Sequence, residues 1–127
     1  MKNFDNIIYT MKLAIVGSRN FNNYDLMTQK LKEMLEGWDE IEEIVSGGAS
    51  GIDTLAKRYA NEIGVPIKEF LPNWKEFGPA AGPIRNSQIV DYCTHLIAFP
   101  SKTGKGTQDS IRKAQVSQKI VKISYID

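Results

Sequence analysis

Short apolar runs alternate along the chain with longer segments in which apolar residues recur every three or four positions. The short runs predict β-strands at residues 13–16, 41–45, 66–71, 96–99 and 120–126. The periodic segments predict helices at residues 24–35, 52–63 and 107–118, and a further helix that begins near Pro83. Residues 72–82 show neither period and are expected to be the longest irregular segment.

The regular alternation of strand and helix predicts an α/β fold. Parallel strands joined by helices form right-handed units, so helices should cover both faces of a mostly parallel sheet, as in a three-layer sandwich. We expect five strands in the order 3-2-1-4-5. Residues 11–127 should form one domain. Residues 1–10 lack the core pattern and are interpreted as an N-terminal extension whose order the sequence leaves open.

Composition narrows the classes of protein that this chain can represent. Its 127 residues carry a net charge of +1, which argues against a broad surface for duplex DNA. No apolar run reaches membrane-spanning length, so no membrane partner is expected. The single cysteine, Cys93, fits a reducing compartment, and we expect a cytoplasmic protein. One cysteine and one histidine, His95, cannot supply a typical zinc site, so no metal is predicted.

A loop of small residues between the second strand and the second helix is the strongest candidate for a binding element. Its candidate ligand-binding residues are Ser46, Gly47, Gly48, Ala49, Gly51 and Asp53. Glycines let the backbone turn sharply and approach a ligand closely. The N–H groups at the start of a helix favour an anion. The loop is therefore interpreted as a phosphate cradle, and the alternative is a tight turn that serves only the fold.

Two further loops of small residues follow strands of the predicted sheet. The first is Gly17-Ser18-Arg19, and the second is Gly104-Lys105-Gly106-Thr107. In an open parallel sheet with the order 3-2-1-4-5, these loops and the 46–51 loop lie along the same edge, where ligands gather. Convergence of three such loops predicts a ligand pocket more strongly than any one loop does.

Several side chains have both a functional and a structural interpretation. Arg19 and Arg85 can hold phosphate oxygens or pair with surface carboxylates, and we expect both to face the pocket with Asn86. A carboxylate is repelled by a phosphate, so a functional Asp53 would bind ribose hydroxyls or a bridging cation. The structural interpretation is that the helix dipole stabilises an acid in the first turn of a helix. Trp74 can stack on a base, although core or dimer packing is the commoner role of such aromatic residues.

Familiar catalytic and nucleotide-binding motifs are absent from the sequence. The phosphate-binding signature G-x-x-x-x-G-K-[ST] and the dinucleotide fingerprint G-x-G-x-x-G do not occur. No serine–histidine–carboxylate set is suggested locally, and His95 is expected to be buried or at an edge rather than catalytic. No cofactor is predicted.

The combination of motifs resembles the YspA-type branch of the SLOG superfamily, which is related to the DprA/Smf proteins and the LOG phosphoribohydrolases. The resemblance covers about residues 12–124 and rests on residues 16–21, 45–56, 72–74, 81–86 and 106–107. It implies a Rossmann-like fold with a pocket for nucleotides or nucleotide-derived molecules. Phe21, which follows Val16-Gly17-Ser18-Arg19, joins the candidate ligand-binding residues through this resemblance.

Departures from the LOG pattern separate the functional hypotheses. The LOG motif P-G-G-x-G-T-x-x-E ends in a glutamate that takes part in N-glycosidic cleavage, and this chain has Ser110 at that position. The leading hypothesis is therefore a sensor, carrier or sequestering protein that binds an ADP-ribose-like molecule or a cyclic nucleotide, and that forms a homo-oligomer. The first alternative is an N-glycosidase that uses Asp53 or Asp109. The second is DprA-like binding of single-stranded nucleic acid, which the near-neutral charge disfavours.

Overall fold

The computed structural model describes residues 9–126. The five strands of the sheet are β1 (Thr10–Gly17), β2 (Glu40–Ser46), β3 (Ile67–Glu69), β4 (His95–Phe99) and β5 (Ile120–Ile123). The helices are α1 (Tyr24–Met34), α2 (Ile52–Ile63), α3 (Trp74–Phe77), α4 (Ala81–Tyr92) and α5 (Lys105–Val116).

All neighbouring strands are parallel, and their order is β3-β2-β1-β4-β5. This confirms the predicted α/β fold and the predicted order 3-2-1-4-5. The strand order reverses at β1, which lies between β2 and β4. The loops after these three strands therefore emerge side by side at the carboxyl edge of the sheet.

Alternate residues of β1 face two separate apolar cores. Leu13 and Ile15 are fully buried in the core beneath α1 and α2, with Met27 among its members. Ala14 and Val16 belong to the core beneath α4 and α5. Since successive side chains of a strand point to opposite faces, a strand buried on both faces reads as a continuous apolar run.

Several element boundaries differ from the sequence-based expectations, and β3 covers only Ile67–Glu69 of the predicted strand 66–71. The segment predicted to be irregular contains α3, a 3₁₀ turn at Gly78–Ala80, and the start of α4 at Ala81. The Asn73 side chain initiates α3 by accepting a hydrogen bond from the Glu76 N–H at 3.1 Å. The α5 helix begins at Lys105 with Gly104 as its N-cap, so Thr107 lies inside the first turn and is not the cap.

The last strand and the chain start also depart from the expected limits. β5 ends at Ile123 rather than Ile126, although the Ser124 N–H still donates to the Ala98 carbonyl at 2.9 Å. β1 begins at Thr10, within the predicted extension. The remainder of that predicted extension, residues 1–8, lies outside the described residues. His95 is buried, and its ring centroid lies 4.9 Å from that of Trp38.

Gly51 lies where two loops of the carboxyl edge touch. Its φ of 73° and ψ of −129° form a combination that is accessible essentially to glycine alone. A Cβ at this position would clash with the carbonyl oxygens of Ser18 and Arg19. The absence of a side chain therefore lets the turn before α2 pack directly on the loop after β1.

We expect Gly51→Ala to destabilise the protein more than Gly64→Ala. Both glycines have a positive φ, but a Cβ at Gly64 would meet no atom within 4 Å. Gly64→Ala should cost only the conformational penalty, about 1–2 kcal/mol, whereas Gly51→Ala adds overpacking of about 1–3 kcal/mol. Urea denaturation of both variants measures the difference. Equal losses of stability would contradict the close packing at Gly51.

Candidate functional site

A cavity of about 620 Å³ opens at the carboxyl edge of the sheet. Its walls come from the end of β1, the start of α2, α3 and α4, and the segment from Ser101 into α5. Pockets of roughly 300–1,000 Å³ are typical for small-molecule ligands. The position agrees with the rule that open parallel sheets bind ligands where the strand order reverses.

Arg85 provides the central contact of the cavity wall. The side chain is only 7% exposed, and its Nη1 donates to the Gly47 carbonyl oxygen at 2.6 Å. Its Nε donates to Asn86 Oδ1 at 3.0 Å. Both acceptors are uncharged, and the ion pairs formed among the described residues do not include Arg85. Burial lowers the pKa of Arg85, while Asp53 opposes that shift electrostatically.

Asn86 extends this contact from α4 to α5. Its Nδ2 donates to the Gly106 carbonyl at 3.3 Å and to Asp109 Oδ2 at 3.2 Å. Asp109 also pairs with Arg112, and with Lys113 at 2.9 Å. Burial alone raises the pKa of Asp109, but the hydrogen bonds from Lys113 and Asn86 outweigh it and leave that pKa below its ordinary value. Asp109 is therefore held as a carboxylate in an ion-pair network.

Asp53 occupies a different electrostatic environment on the same cavity wall. It is 7% exposed, and its Oδ2 accepts a hydrogen bond from the Ala49 N–H at 3.1 Å. Burial raises the pKa of Asp53, while the Ala49 hydrogen bond and the charges of Arg85 and Arg19 partly oppose the rise. A carboxyl group with a pKa raised by burial in a cleft is typical of functional sites, although structural groups also show it.

The loop after β2 uses several of its N–H groups within the protein. The Gly48 N–H donates to Ser46 Oγ at 3.3 Å, and the Ala49 N–H donates to Asp53. The Ile52 N–H at the start of α2 donates to the Ser18 carbonyl at 3.0 Å. These three donors stabilise the turn, and they are not directed at a ligand in this structure.

The start of α5 offers a second group of backbone donors at the cavity. Its N-cap is Gly104, which provides no side-chain hydrogen bond to the first turn. Gly104, Lys105, Gly106 and Thr107 all line the cavity. The first N–H groups of a helix have no partner within the helix and carry a partial positive charge. This end of the cavity therefore favours an anion.

Trp74 contributes an aromatic side chain to the cavity wall. The indole is 51% exposed. A Cβ added to Gly82 would lie 3.4 Å from the Trp74 Cη2 atom, so the ring rests against the first turn of α4. An exposed aromatic face next to polar donors can stack on a planar group of a ligand.

The structure brings most of the predicted site residues to this cavity. The predicted residues that line it are Gly17, Ser18, Arg19, Ala49, Asp53, Trp74, Arg85, Asn86, Gly104, Lys105, Gly106, Thr107 and Asp109. The predicted residues that do not line it are Phe21, Ser46, Gly47, Gly48 and Gly51. Phe21 packs against the apolar core beneath α1 and α2. Ser46 and the three glycines shape the turn behind the wall.

Several residues line the cavity that the sequence reasoning did not select. They are Val16, Asn20, Gly82, Pro83, Ile89, Ser101, Thr103 and Ser110. The polar members Asn20, Ser101 and Thr103 lie two to four residues after the ends of β1 and β4. The rule that ligands bind at the carboxyl ends of parallel strands therefore also identifies these three residues. Ile89 lies one helical turn beyond Arg85 and shares its face. No signal in the sequence distinguishes this apolar residue from an ordinary core position.

Neither a membrane span nor a metal cluster is found in the part of the chain that the structure describes. None of its helices is both long enough and apolar enough to cross a bilayer. Within residues 9–126, no group of three or more His, Cys, Asp and Glu side chains is arranged to hold a metal ion.

The fold and the cavity together define a Rossmann-like protein with a ligand cavity at the carboxyl edge of its sheet. The model of the YspA, cpYpsA-related SLOG family matches residues 11–77, and the chain belongs to this family. It is also similar to the Gene 61 protein of Mycobacterium phage D29. The two are 30% identical over 113 residues, which cover 82% of this chain and 88% of the phage protein.

A solved structure supports the same fold. The chain is similar to the X-ray structure of DNA processing protein A (DprA) from Streptococcus pneumoniae, with a TM-score of 0.69 and 22% identity. The similarity covers 88% of this chain and 49% of DprA, so the chain spans about half the length of that protein. At this level of identity the comparison shows a shared fold.

We expect Asp53→Asn to leave the protein at least as stable as the wild type at neutral pH. The raised pKa means that Asp53 stabilises the fold below its unfolded-state pKa of about 3.9 and loses this contribution as pH rises through the folded-state pKa. The amide resembles the protonated acid and can still accept from the Ala49 N–H.

Urea denaturation of both proteins across pH 3–8 measures this effect. The free energy of unfolding of Asp53→Asn minus that of the wild type should be larger at high pH than at low pH. A variant that loses stability only at neutral pH would show that ionised Asp53 stabilises the fold, contrary to this prediction.

Proposed function

We propose that this protein binds a nucleotide-derived small molecule in the 620 Å³ cavity and acts as a sensor, carrier or sequestering protein. The ligand class is ADP-ribose-like or a cyclic nucleotide. Family membership and the DprA-like fold support the coarser class of nucleotide-related binding protein. Formation of a homo-oligomer stays a prediction.

The observation that carries the proposal is the environment of Arg85. Buried charges in proteins are ordinarily paired, yet the two acceptors that this guanidinium contacts are neutral and one side of it faces the cavity. Asp53 acts on Arg85 electrostatically from the same wall, and a bound phosphate adds a negative charge that accepts directly from the planar guanidinium in a geometry that suits it. Arg19, exposed at the same wall, adds a second positive charge.

Two regions of the cavity wall suit the two parts of a nucleotide. The backbone N–H groups in the first turn of α5 favour the phosphate. The exposed indole of Trp74 offers a stacking surface for the base. We therefore orient the ligand with its phosphate towards Gly104–Thr107 and its base towards α3.

Identification of the natural ligand tests the proposal directly. The protein is purified under native conditions from its expression host, denatured, and the released small molecules are identified by mass spectrometry. An intact nucleotide derivative in stoichiometric amount supports the proposal. The complementary assay is calorimetric titration with ADP-ribose, AMP, ADP and cyclic mononucleotides, and failure of the whole panel to bind would refute it.

Incubation of the same panel with the protein separates a binding protein from an enzyme. Asp53, Asp109 and Ser110 all line the cavity, so the N-glycosidase alternative has candidate groups in place. A binding protein leaves the nucleotides intact after prolonged incubation. Protein-dependent release of a free base, abolished by Asp53→Asn or Asp109→Asn, would establish the enzyme instead.

Single-stranded nucleic acid is the second candidate, and the exposed aromatic residues near the cavity favour it. Trp74 is 51% exposed and Phe77 is 42% exposed. Successive bases stack on such residues in single-strand-binding proteins. Binding of oligonucleotides but of no mononucleotide in the titration would select this function.

We expect Arg85→Ala and Arg19→Ala to weaken binding of the nucleotide. A hydrogen bond to a charged group contributes about 1.5–3 kcal/mol, which corresponds to a loss of about 10- to 150-fold in affinity. Arg85→Lys should restore only part of it, because lysine lacks the planar set of donors.

Arg58→Ala is the matched control for these variants. Arg58 lies 3.9 Å from the centroid of the Tyr24 ring, and it does not line the cavity. Its loss should leave affinity unchanged. Wild-type affinity in either Arg85→Ala or Arg19→Ala would assign that arginine to a purely structural role.

A further inference from the structure

The position of Asp53 restricts which part of a ligand can lie against it. The carboxylate lines the cavity from the first turn of α2, and the Ala49 N–H holds its Oδ2 atom in place. An ionised carboxylate only accepts hydrogen bonds. It repels a phosphate group placed beside it. The part of the ligand next to Asp53 must therefore donate hydrogen bonds.

Burial raises the pKa of Asp53, and the polar groups around it oppose that rise and favour the charged form that accepts hydrogen bonds. Arg85 and Arg19 act on it electrostatically, and the Ala49 N–H adds a hydrogen bond. Arg85 in turn is oriented by Gly47 and Asn86. A carboxylate fixed in this way has a defined direction in which it can accept from a ligand.

The start of α5, which also lines the cavity, favours the opposite chemistry. Asn86 connects Arg85 to the Gly106 carbonyl in this first turn of α5. The first turn of α5 donates hydrogen bonds, whereas Asp53 accepts them. A ligand that fits both regions carries an anionic group next to the start of α5 and paired hydroxyl donors next to Asp53.

We propose that Asp53 selects ligands with a ribose whose 2′- and 3′-hydroxyl groups are both free. This inference rests on the proposed function and defines the sugar of its ligand. Two hydroxyls on adjacent carbons donate to the two oxygens of one carboxylate. A 2′-deoxyribose offers only one of these donors, and a phosphate on either hydroxyl brings a negative charge against Asp53.

Calorimetric titration of the full chain with ADP and with 2′-deoxy-ADP tests this inference. We expect ADP to bind at least about tenfold more tightly, because the deoxy compound leaves one acceptor of the charged group unpaired. Asp53→Asn should weaken the binding of ADP more than the binding of 2′-deoxy-ADP, so the ratio of the two affinities should fall towards one. Adenosine 3′,5′-bisphosphate should bind more weakly than ADP to the wild type.

Asp25→Asn is the matched control, since Asp25 also lies in the first turn of a helix and does not line the cavity. This variant should keep the wild-type ratio. Equal binding of ADP and 2′-deoxy-ADP by the wild type would overturn the inference and leave the proposed function standing. An unchanged ratio in Asp53→Asn would also overturn it. Failure of both ADP and 2′-deoxy-ADP to bind would also overturn the inference, whereas the proposed function is refuted only if the whole nucleotide panel fails to bind.

Discussion

The hydrogen bond from Arg85 to the Gly47 carbonyl joins two separate parts of the cavity wall. It is 2.6 Å long and connects α4 to the loop between β2 and α2. Gly47 has to lack a side chain, because a Cβ there would lie in the space that the guanidinium fills. Through Asn86, the same arginine is connected to the start of α5. One buried cation therefore connects α4, the β2–α2 loop and, through Asn86, the start of α5.

Hydrophobic periodicity was sufficient to predict the fold because the central strands β1 and β4 are buried on both faces of the sheet. Each buried strand reads as a short apolar run, and the handedness of βαβ units limits the possible strand orders. Helix starts were less predictable, since they depend on local side-chain contacts. The Gly104 N–H donates to Ser101 Oγ at 3.1 Å. With this contact before it, α5 begins at Lys105 and not after Thr107, the N-cap expected from the sequence.

The glycines of the 46–51 loop illustrate what a sequence cannot reveal about a site. Their spacing indicates a turn whose backbone packs closely against another group. Which group that is depends on residues distant in the chain. At Gly48, an added Cβ would meet the Leu71 side chain, and at Gly51 it would meet the backbone of Ser18 and Arg19. The sequence therefore predicted where the cavity lies more accurately than which backbone groups face it.

Two carboxylates on the same cavity wall differ in what they contribute to the protein. Asp109 has hydrogen bonds from Lys113 and Asn86 that lower its pKa, so its ionised form stabilises the folded state. Asp53 has a raised pKa, so ionising it at neutral pH costs folding free energy. A group retained at a cost to stability is expected where function requires it. This difference favours Asp53 over Asp109 as the carboxylate that contacts a ligand.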